Sequence, residues 1–341
     1  MRHYITLLTT LLLTCAVRAE PVAVTERANI IDRVVNHLST TYIDADMAQK
    51  LKPMLRHADF SQAAGDDAFA KAVTALMQDF TKDQHLRLLY SAKPVPEQKN
   101  GSPSSAEMAE RQAALRAQNF GVERVERLPG NIGYIKTSFF APASEAAPSI
   151  AAAMSLLAYT DALIIDLREN GGGAADTVPL LASYFFDERT HLSDFYRREG
   201  NIMEQQWTYS AVEGRRFGVE KEVYILTSKK TFSAAEGFAF ALKNLKRAII
   251  VGETTRGGAH PSRVKRIDAH FALMVPASTV RDSVTGKDWE GVGVLPDLPV
   301  PAEEALTKAQ IVILNKLVAN KQTAESQDGI RKRLAELTPG S

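Results

Sequence analysis

Cysteine is almost missing from this chain: one residue in 341, Cys15, lies within the first nineteen. Beyond that segment there can be no disulfide, no thiol nucleophile and no thiolate metal site. No H-E-x-x-H is present and no two histidines stand at helical spacing, so a catalytic zinc site has no support and no metal or cofactor is expected. Glycine-rich stretches occur, but none has the spacing G-x-G-x-x-G or ends in Lys-Ser/Thr, which argues against a nucleotide-binding loop. An excess of charge of either sign is also lacking: 41 basic residues face 40 acidic ones. Neither nucleic acid nor an anionic membrane is therefore an expected partner.

What is present begins with "MRHYITLLTTLLLTCAVRA". A basic start, an apolar run of about a dozen residues and small residues at Val17 and Ala19 read as a secretory signal cut after Ala19. The run is short of the ~20 residues needed to span a bilayer, so export to a periplasm or beyond is expected, with no membrane span. Cys15 as a lipid attachment site is the weaker alternative, because Thr14 stands where a smaller residue is usual.

From residue 20 to about 92 the pattern is helical. Ile30, Ile31, Val34, Val35 and Leu38 form one stripe, and Phe69, Val73, Leu76 and Phe80 another. Residues 93–118, rich in Pro, Ser, Lys and Glu, read as a linker carrying an exposed helix. After Asn119 short apolar runs ("NIGYIKTS", "ALIIDLR", "EVYILTS", "RAIIVGE") alternate with helical segments, followed by "HFALMVPAST" and the Gly/Pro-rich "EGVGVLPDLPV" as a closing strand pair. This alternation predicts an α/β core over 119–305 with a mainly parallel sheet covered on both faces. Residues 306–341 read as a C-terminal helix and a polar tail.

In such a sheet, ligands bind beyond the carboxyl ends of strands. Two segments fall there, "DLRENGGG" and "TFSAAE". Gly171, Gly172 and Gly173 can expose backbone N–H groups to an oxyanion, or simply allow close packing. Ser233 opens a helix, where the helix dipole and the N–H of Ala234 would favour negative charge on an oxygen. The same serine, followed by Glu236, is equally a capping box. A nucleophilic serine needs a base. His85, in "TKDQHLRLLY", lies at a turn between helix and strand, and His260, in "GGAHPS", is its rival; Arg168 and Asn170 read as scaffold for the glycine turn, and Trp289 as packing.

Taken in order, "DLRENGGG", "TFSAAEGFAFALKN", "IIVGETTRGGAHP" and "DWEGVGVLPDLPV" resemble the S41 family of serine peptidases, which includes tail-specific proteases, the tricorn core protease and the interphotoreceptor retinoid-binding proteins. The resemblance implies a Clp protease/crotonase-like α/β core and peptide-bond hydrolysis through a serine acyl-enzyme, with a peptide or protein as substrate. Ser233 would be the nucleophile, with the N–H groups of Ala234 and Gly172 as oxyanion donors. Tail-specific relatives use a lysine base, but the turn here has Arg256, and an arginine stays protonated. The tricorn-like branch instead implies His85 as base and Glu290 as its support. Gln84 stands where that branch has a serine, so Glu290 would act through water or another side chain. No room exists before Asn119 for a PDZ-like domain, which weakens carboxyl-end specificity. The alternative the resemblance leaves is a non-catalytic carrier of hydrophobic ligands on the same fold.

Overall fold

The computed structural model describes residues 24–97, 105–320 and 324–338, so the expected leader, residues 1–19, lies outside the described residues. Three helices, α1 (Val24–Thr41), α2 (Ala45–His57) and α3 (Asp66–Thr81), come first. Their apolar stripes turn inward, and Val34, Leu51, Phe69 and Val73 are fully buried against one another. A short strand, β1 (Arg87–Tyr90), follows, and then α4 (Ser105–Ala117), which buries nothing, as its polar sequence predicts.

The central sheet is built from β2 (Val122–Leu128), β3 (Ile132–Thr137), β4 (Ala162–Asp166), β7 (Glu222–Thr227), β8 (Ile249–Gly252) and β12 (Leu298–Pro299). Their spatial order is β12-β8-β7-β4-β3-β2, and every pairing is parallel except β2 with β3. Both faces are covered, which is why β4 reads as an unbroken buried run. One face packs on α5 (Ala143–Leu157), α6 (Thr177–Ala182) and α7 (Ala234–Asn244). The other packs on α8 (Ala305–Asn320) and α9 (Ala324–Leu337).

Two small antiparallel sheets complete the fold. One, ordered β11-β5-β6, holds β5 (His191–Arg197), β6 (Ile202–Trp207) and β11 (Ser278–Asp282). The other places β10 (Phe271–Pro276) between β1 and β9 (Ser262–Arg266). Through it the helical segment and the core share one hydrophobic cluster: Leu86 and Leu88 pack with Phe271, Leu273 and Val275. His85, at the foot of β1, is thereby carried to the edge of the core. No helix among the described residues is long and apolar enough to cross a membrane.

"EGVGVLPDLPV" departs from the strand reading. Gly291 and Gly293 take positive φ, 70° and 74°, and Gly293 N–H closes a turn on the Trp289 carbonyl at 2.9 Å. Only Leu298–Pro299 joins the sheet.

Candidate active site

The loop after β4 and the loop after β7 are laced together before either presents a functional group. Asp166, fully buried at the end of β4, pairs with Arg168 at 2.6 Å and accepts from the Tyr134 hydroxyl at 2.7 Å. Arg168 in turn donates to the Ala302 carbonyl at 2.7 Å. The Asn170 side chain, also fully buried, donates to Thr137 Oγ1 at 3.0 Å and accepts the Gly172 N–H at 2.8 Å. Its backbone carbonyl accepts Phe232 N–H at 3.1 Å, and Thr231 Oγ1 donates to the Leu167 carbonyl at 2.8 Å. Arg168 and Asn170 are thus the scaffold expected of them. They press the glycine turn against the start of α7.

At that start Ser233 has φ 54° and ψ −122°, a conformation costly for a residue with a Cβ and held here by its surroundings. Strained strand-to-helix turns of this kind expose a serine oxygen at the rim of a sheet. The capping box is formed, with Ser233 N–H donating to Glu236 at 2.7 Å. Glu236 does more than cap. Its buried carboxylate also accepts the N–H groups of Gly257 at 2.6 Å and Gly258 at 2.9 Å and the hydroxyl of Thr255. Burial raises its pKa while those donors oppose the rise. One carboxylate therefore joins the serine turn to a second glycine turn, a long-range role that the local Ser-x-x-Glu spacing does not signal.

Close approach explains two of the glycines. A Cβ on Gly172, at φ 96°, would lie 2.8 Å from both the Phe232 carbonyl oxygen and Ser233 Cβ. Gly172→Ala is therefore expected to shift the serine turn and to cost ~1–3 kcal/mol of stability; a thermal melt checks it. A Cβ on Gly258 would sit 2.5 Å from Phe232 Cζ and 2.7 Å from His85 Cε1.

Ser233, Ala234, Gly171, Gly173 and His85 line one cavity of about 580 Å³. The His85 ring is stacked on Phe232, the residue before Ser233, with centroids 4.4 Å apart. It is 7% exposed, its Nδ1 is buried without a hydrogen-bond partner, and its backbone N–H is held by Asp83 at 3.0 Å. Burial lowers its pKa to about 4, against the raising field of Asp83. At neutral pH the imidazole is uncharged and able to take a proton.

His260 turns elsewhere. Its Nδ1 lies 2.8 Å from Asp83 Oδ2 and 3.7 Å from Glu290 Oε2. Burial opposes its charge, but the bond to Asp83 and the fields of both carboxylates outweigh that, and its pKa lies above the ordinary value. Asp83, His260 and Glu290 bring three possible ligand atoms within 4.8 Å of one another, the residues here that could hold a metal ion. Glu290 Oε2 accepts Ala259 N–H, while Oε1 is buried without a partner. Burial pushes the Glu290 carboxyl up to about 7, with Asp83 adding to the rise and His260 opposing it. Trp289 packs as expected, 5% exposed and donating to the Gly258 carbonyl at 2.9 Å, but its ring also forms cavity wall. Gly172 lies behind the turn with its N–H committed to Asn170, whereas Gly171 and Gly173 face the cavity.

Comparison with known proteins identifies the family. Residues 131–300 match the model described as Peptidase family S41. Through them the chain belongs to peptidase family S41. The S41 segment runs from β3 to the end of the sheet and contains Ser233, Ala234, Gly172 and Glu290; His85 lies ahead of it. The chain is 27% identical over 194 residues to the carboxyl-terminal-processing peptidase 2 of the Arabidopsis thaliana chloroplast, covering 52% of this chain and 35% of that protein. Alignments with the curated relatives span from 13% to 40% of their lengths. In fold, the chain is similar to a photosystem II D1 C-terminal processing protease (TM-score 0.50, 17% identity, 82% of this chain and 94% of the other). Mature CPAF is also similar (TM-score 0.59, 12% identity, 88% and 98%).

Proposed function

We propose that this S41 chain is a serine endopeptidase in which Ser233 is the nucleophile, His85 the base and Glu290 the support of that base. The observation that carries the reading is Ser233 held in a strained turn on the wall of a cavity it shares with an uncharged His85. Ser233 Oγ attacks the peptide carbonyl carbon and His85 takes the hydroxyl proton. The carbonyl π pair moves to oxygen, where the N–H of Ala234 and the glycine turn stabilise it. For Gly172 to donate, it has to share or release its bond to Asn170; otherwise the second donor comes from its cavity-facing neighbours. Collapse of the adduct breaks the C–N bond and His85 returns the proton to the leaving amine. Water then repeats the sequence on the acyl-enzyme.

His85 Nδ1 and Glu290 Oε1 are both buried without partners; Asp83 accepts the His85 backbone N–H at 3.0 Å, and Glu290 Oε2 lies 3.7 Å from His260 Nδ1. A water bridging the two would satisfy both and let Glu290 stabilise the imidazolium, the role that the resemblance gives to a serine where this chain has Gln84. Glu290→Gln is expected to lower kcat by about 100-fold with little change in KM, as for other groups that orient a catalytic or metal-bound histidine. Steady-state kinetics on one peptide separates the two constants.

Export belongs to the same reading, resting on the leader-like first nineteen residues. Intact mass of the chain recovered from the cell envelope should begin at Glu20; a start at Met1 contradicts export with cleavage. The activity is tested by incubating the purified chain with a fluorogenic peptide library beside Ser233→Ala. Hydrolysis by the first alone is expected, and equal rates from both would place the activity elsewhere.

A further inference from the structure

The proposed reaction uses Glu290 but neither of the side chains that meet it, Asp83 and His260. The three come from separate parts of the chain, and each is held in place. Asp83 lies in the turn between α3 and β1, His260 just ahead of β9, and Glu290 in the loop after β11. Strands β1 and β9 both pair with β10, so the first two residues flank one small sheet. Glu290 is tied to the His260 loop through the Ala259 N–H. All three are largely withdrawn from solvent, with the side chains of Asp83, His260 and Glu290 2%, 18% and 17% exposed. Among the described residues this is the one place where three possible metal ligands of this kind meet.

Two carboxylates and one imidazole suit a zinc ion, with a fourth position left to water. Asp83 Oδ2 lies 2.8 Å and Glu290 Oε2 3.7 Å from His260 Nδ1, and one ligand atom from each residue lies within 4.8 Å of the other two. Around a tetrahedral ion, oxygen and nitrogen ligands at about 2.1 Å stand about 3.4 Å from one another, so each side chain has to move by less than about 1 Å. Spare bonding capacity is present as well, since Glu290 Oε1 is buried without a hydrogen-bond partner. A nitrogen ligand and only two carboxylates disfavour calcium and magnesium, which take about six or more oxygens. We propose that Asp83, His260 and Glu290 bind a divalent cation of the zinc type, and that the bound ion switches the peptidase off. The proposal rests on the serine peptidase reading for its effect and not for the site. An ion there takes the Glu290 carboxylate away from the base and sets positive charge beside His85, whose backbone N–H is held by Asp83 at 3.0 Å. The imidazolium formed during attack then meets repulsion where it had support. The cavity that would hold the substrate is left as it was, so the loss falls on kcat and not on KM.

The test titrates zinc into the metal-free, full-length chain against a chromophoric chelator, beside His260→Gln and Asp83→Asn, and follows turnover of one fluorogenic peptide over the same range. Asp83→Asn keeps an oxygen for the His85 N–H while removing the charge. One tightly held ion per wild-type chain is expected, and each variant should weaken its binding by about 100-fold or more, since loss of a ligand costs at least as much as loss of a group that orients one. Saturation of the wild type should lower kcat by about tenfold or more with KM unchanged, and a chelator should restore it. Each variant, compared with its own metal-free rate, should be insensitive to that zinc concentration, and magnesium should neither bind nor inhibit the wild type. Zinc binding that is equal in wild type and both variants overturns the proposal. So does zinc that fills the site and leaves kcat unchanged, or magnesium that inhibits equally well. Should a variant not fold, anomalous scattering from zinc-soaked wild-type crystals replaces it: a peak between Asp83, His260 and Glu290 is expected, and peaks only elsewhere overturn the site. A folded wild type without turnover, whose zinc binding is still lost in the variants, sinks the peptidase reading and leaves the metal site standing.

Discussion

Ser233→Ala is expected to melt within a few degrees of the parent while losing peptide turnover by a factor on the order of 10⁴ to 10⁶. The two effects differ because the proposed mechanism gives the serine two jobs. As a cap, its hydroxyl is worth ~1 kcal/mol, and the Glu236 half of the box survives the substitution because it uses the backbone N–H of residue 233. As a nucleophile, nothing replaces it. A helix cap alone would give the small drop in melting temperature and no change in turnover, so a melt and a rate measured on one preparation separate the two roles.

The second large effect belongs to His85. In the proposed mechanism His85→Ala removes the base, and turnover is expected to fall on the order of 10⁴-fold or more. Its pH dependence is the sharper result. Because burial holds His85 near pKa 4, protonation of the base does not account for losses of activity between pH 8 and pH 5. A carboxyl near pKa 7 gains its proton in that interval, and so Glu290 loses the charge proposed to support the imidazolium. Wild-type kcat/KM should therefore decline from about pH 7 downward. In Glu290→Gln the profile should lie lower but stay flat to about pH 5, falling only where His85 itself is protonated. A limb at pH 6.5 persisting in Glu290→Gln would instead mark His85 as an ordinary exposed histidine.

The same burial has a consequence for stability. The folded pKa of His85 is about 4 and its unfolded value about 6.5, so between those limits the unfolded chain binds more protons. Stability from this group is full above pH 6.5 and drains away as pH falls toward 4, by on the order of 3 kcal/mol in all. His85→Ala should flatten that part of the curve of stability against pH.

Most of the core could be read from the chain because burial on both faces leaves a simple trace. "ALIID" is apolar without alternation, and it became the centre of a parallel sheet. The sheet formed by β5, β6 and β11 escaped because Ser193, Asp194, Glu204, Gln205 and Gln206 break any apolar run, although Gly200 and Asn201, both at positive φ, mark the hairpin turn. "EGVGVLPDLPV" looked like a strand for its valines and is a loop for its glycines. At the site, the residues named from motifs converge where each motif is local. What sequence spacing could not convey is contact across the chain. Gly172 spends its N–H on Asn170, Glu236 reaches 21 and 22 residues on to Gly257 and Gly258, and His260 turns to Asp83 and Glu290, leaving the cavity wall to His85.

Labelling of the full-length chain with a fluorophosphonate probe, alongside Ser233→Ala and His85→Ala, tests the central claim most directly. The account predicts one adduct on the wild type, mapped by peptide mass to Ser233, with none on Ser233→Ala and little on His85→Ala. A folded wild type that takes no label, or a label that persists in Ser233→Ala, would contradict it.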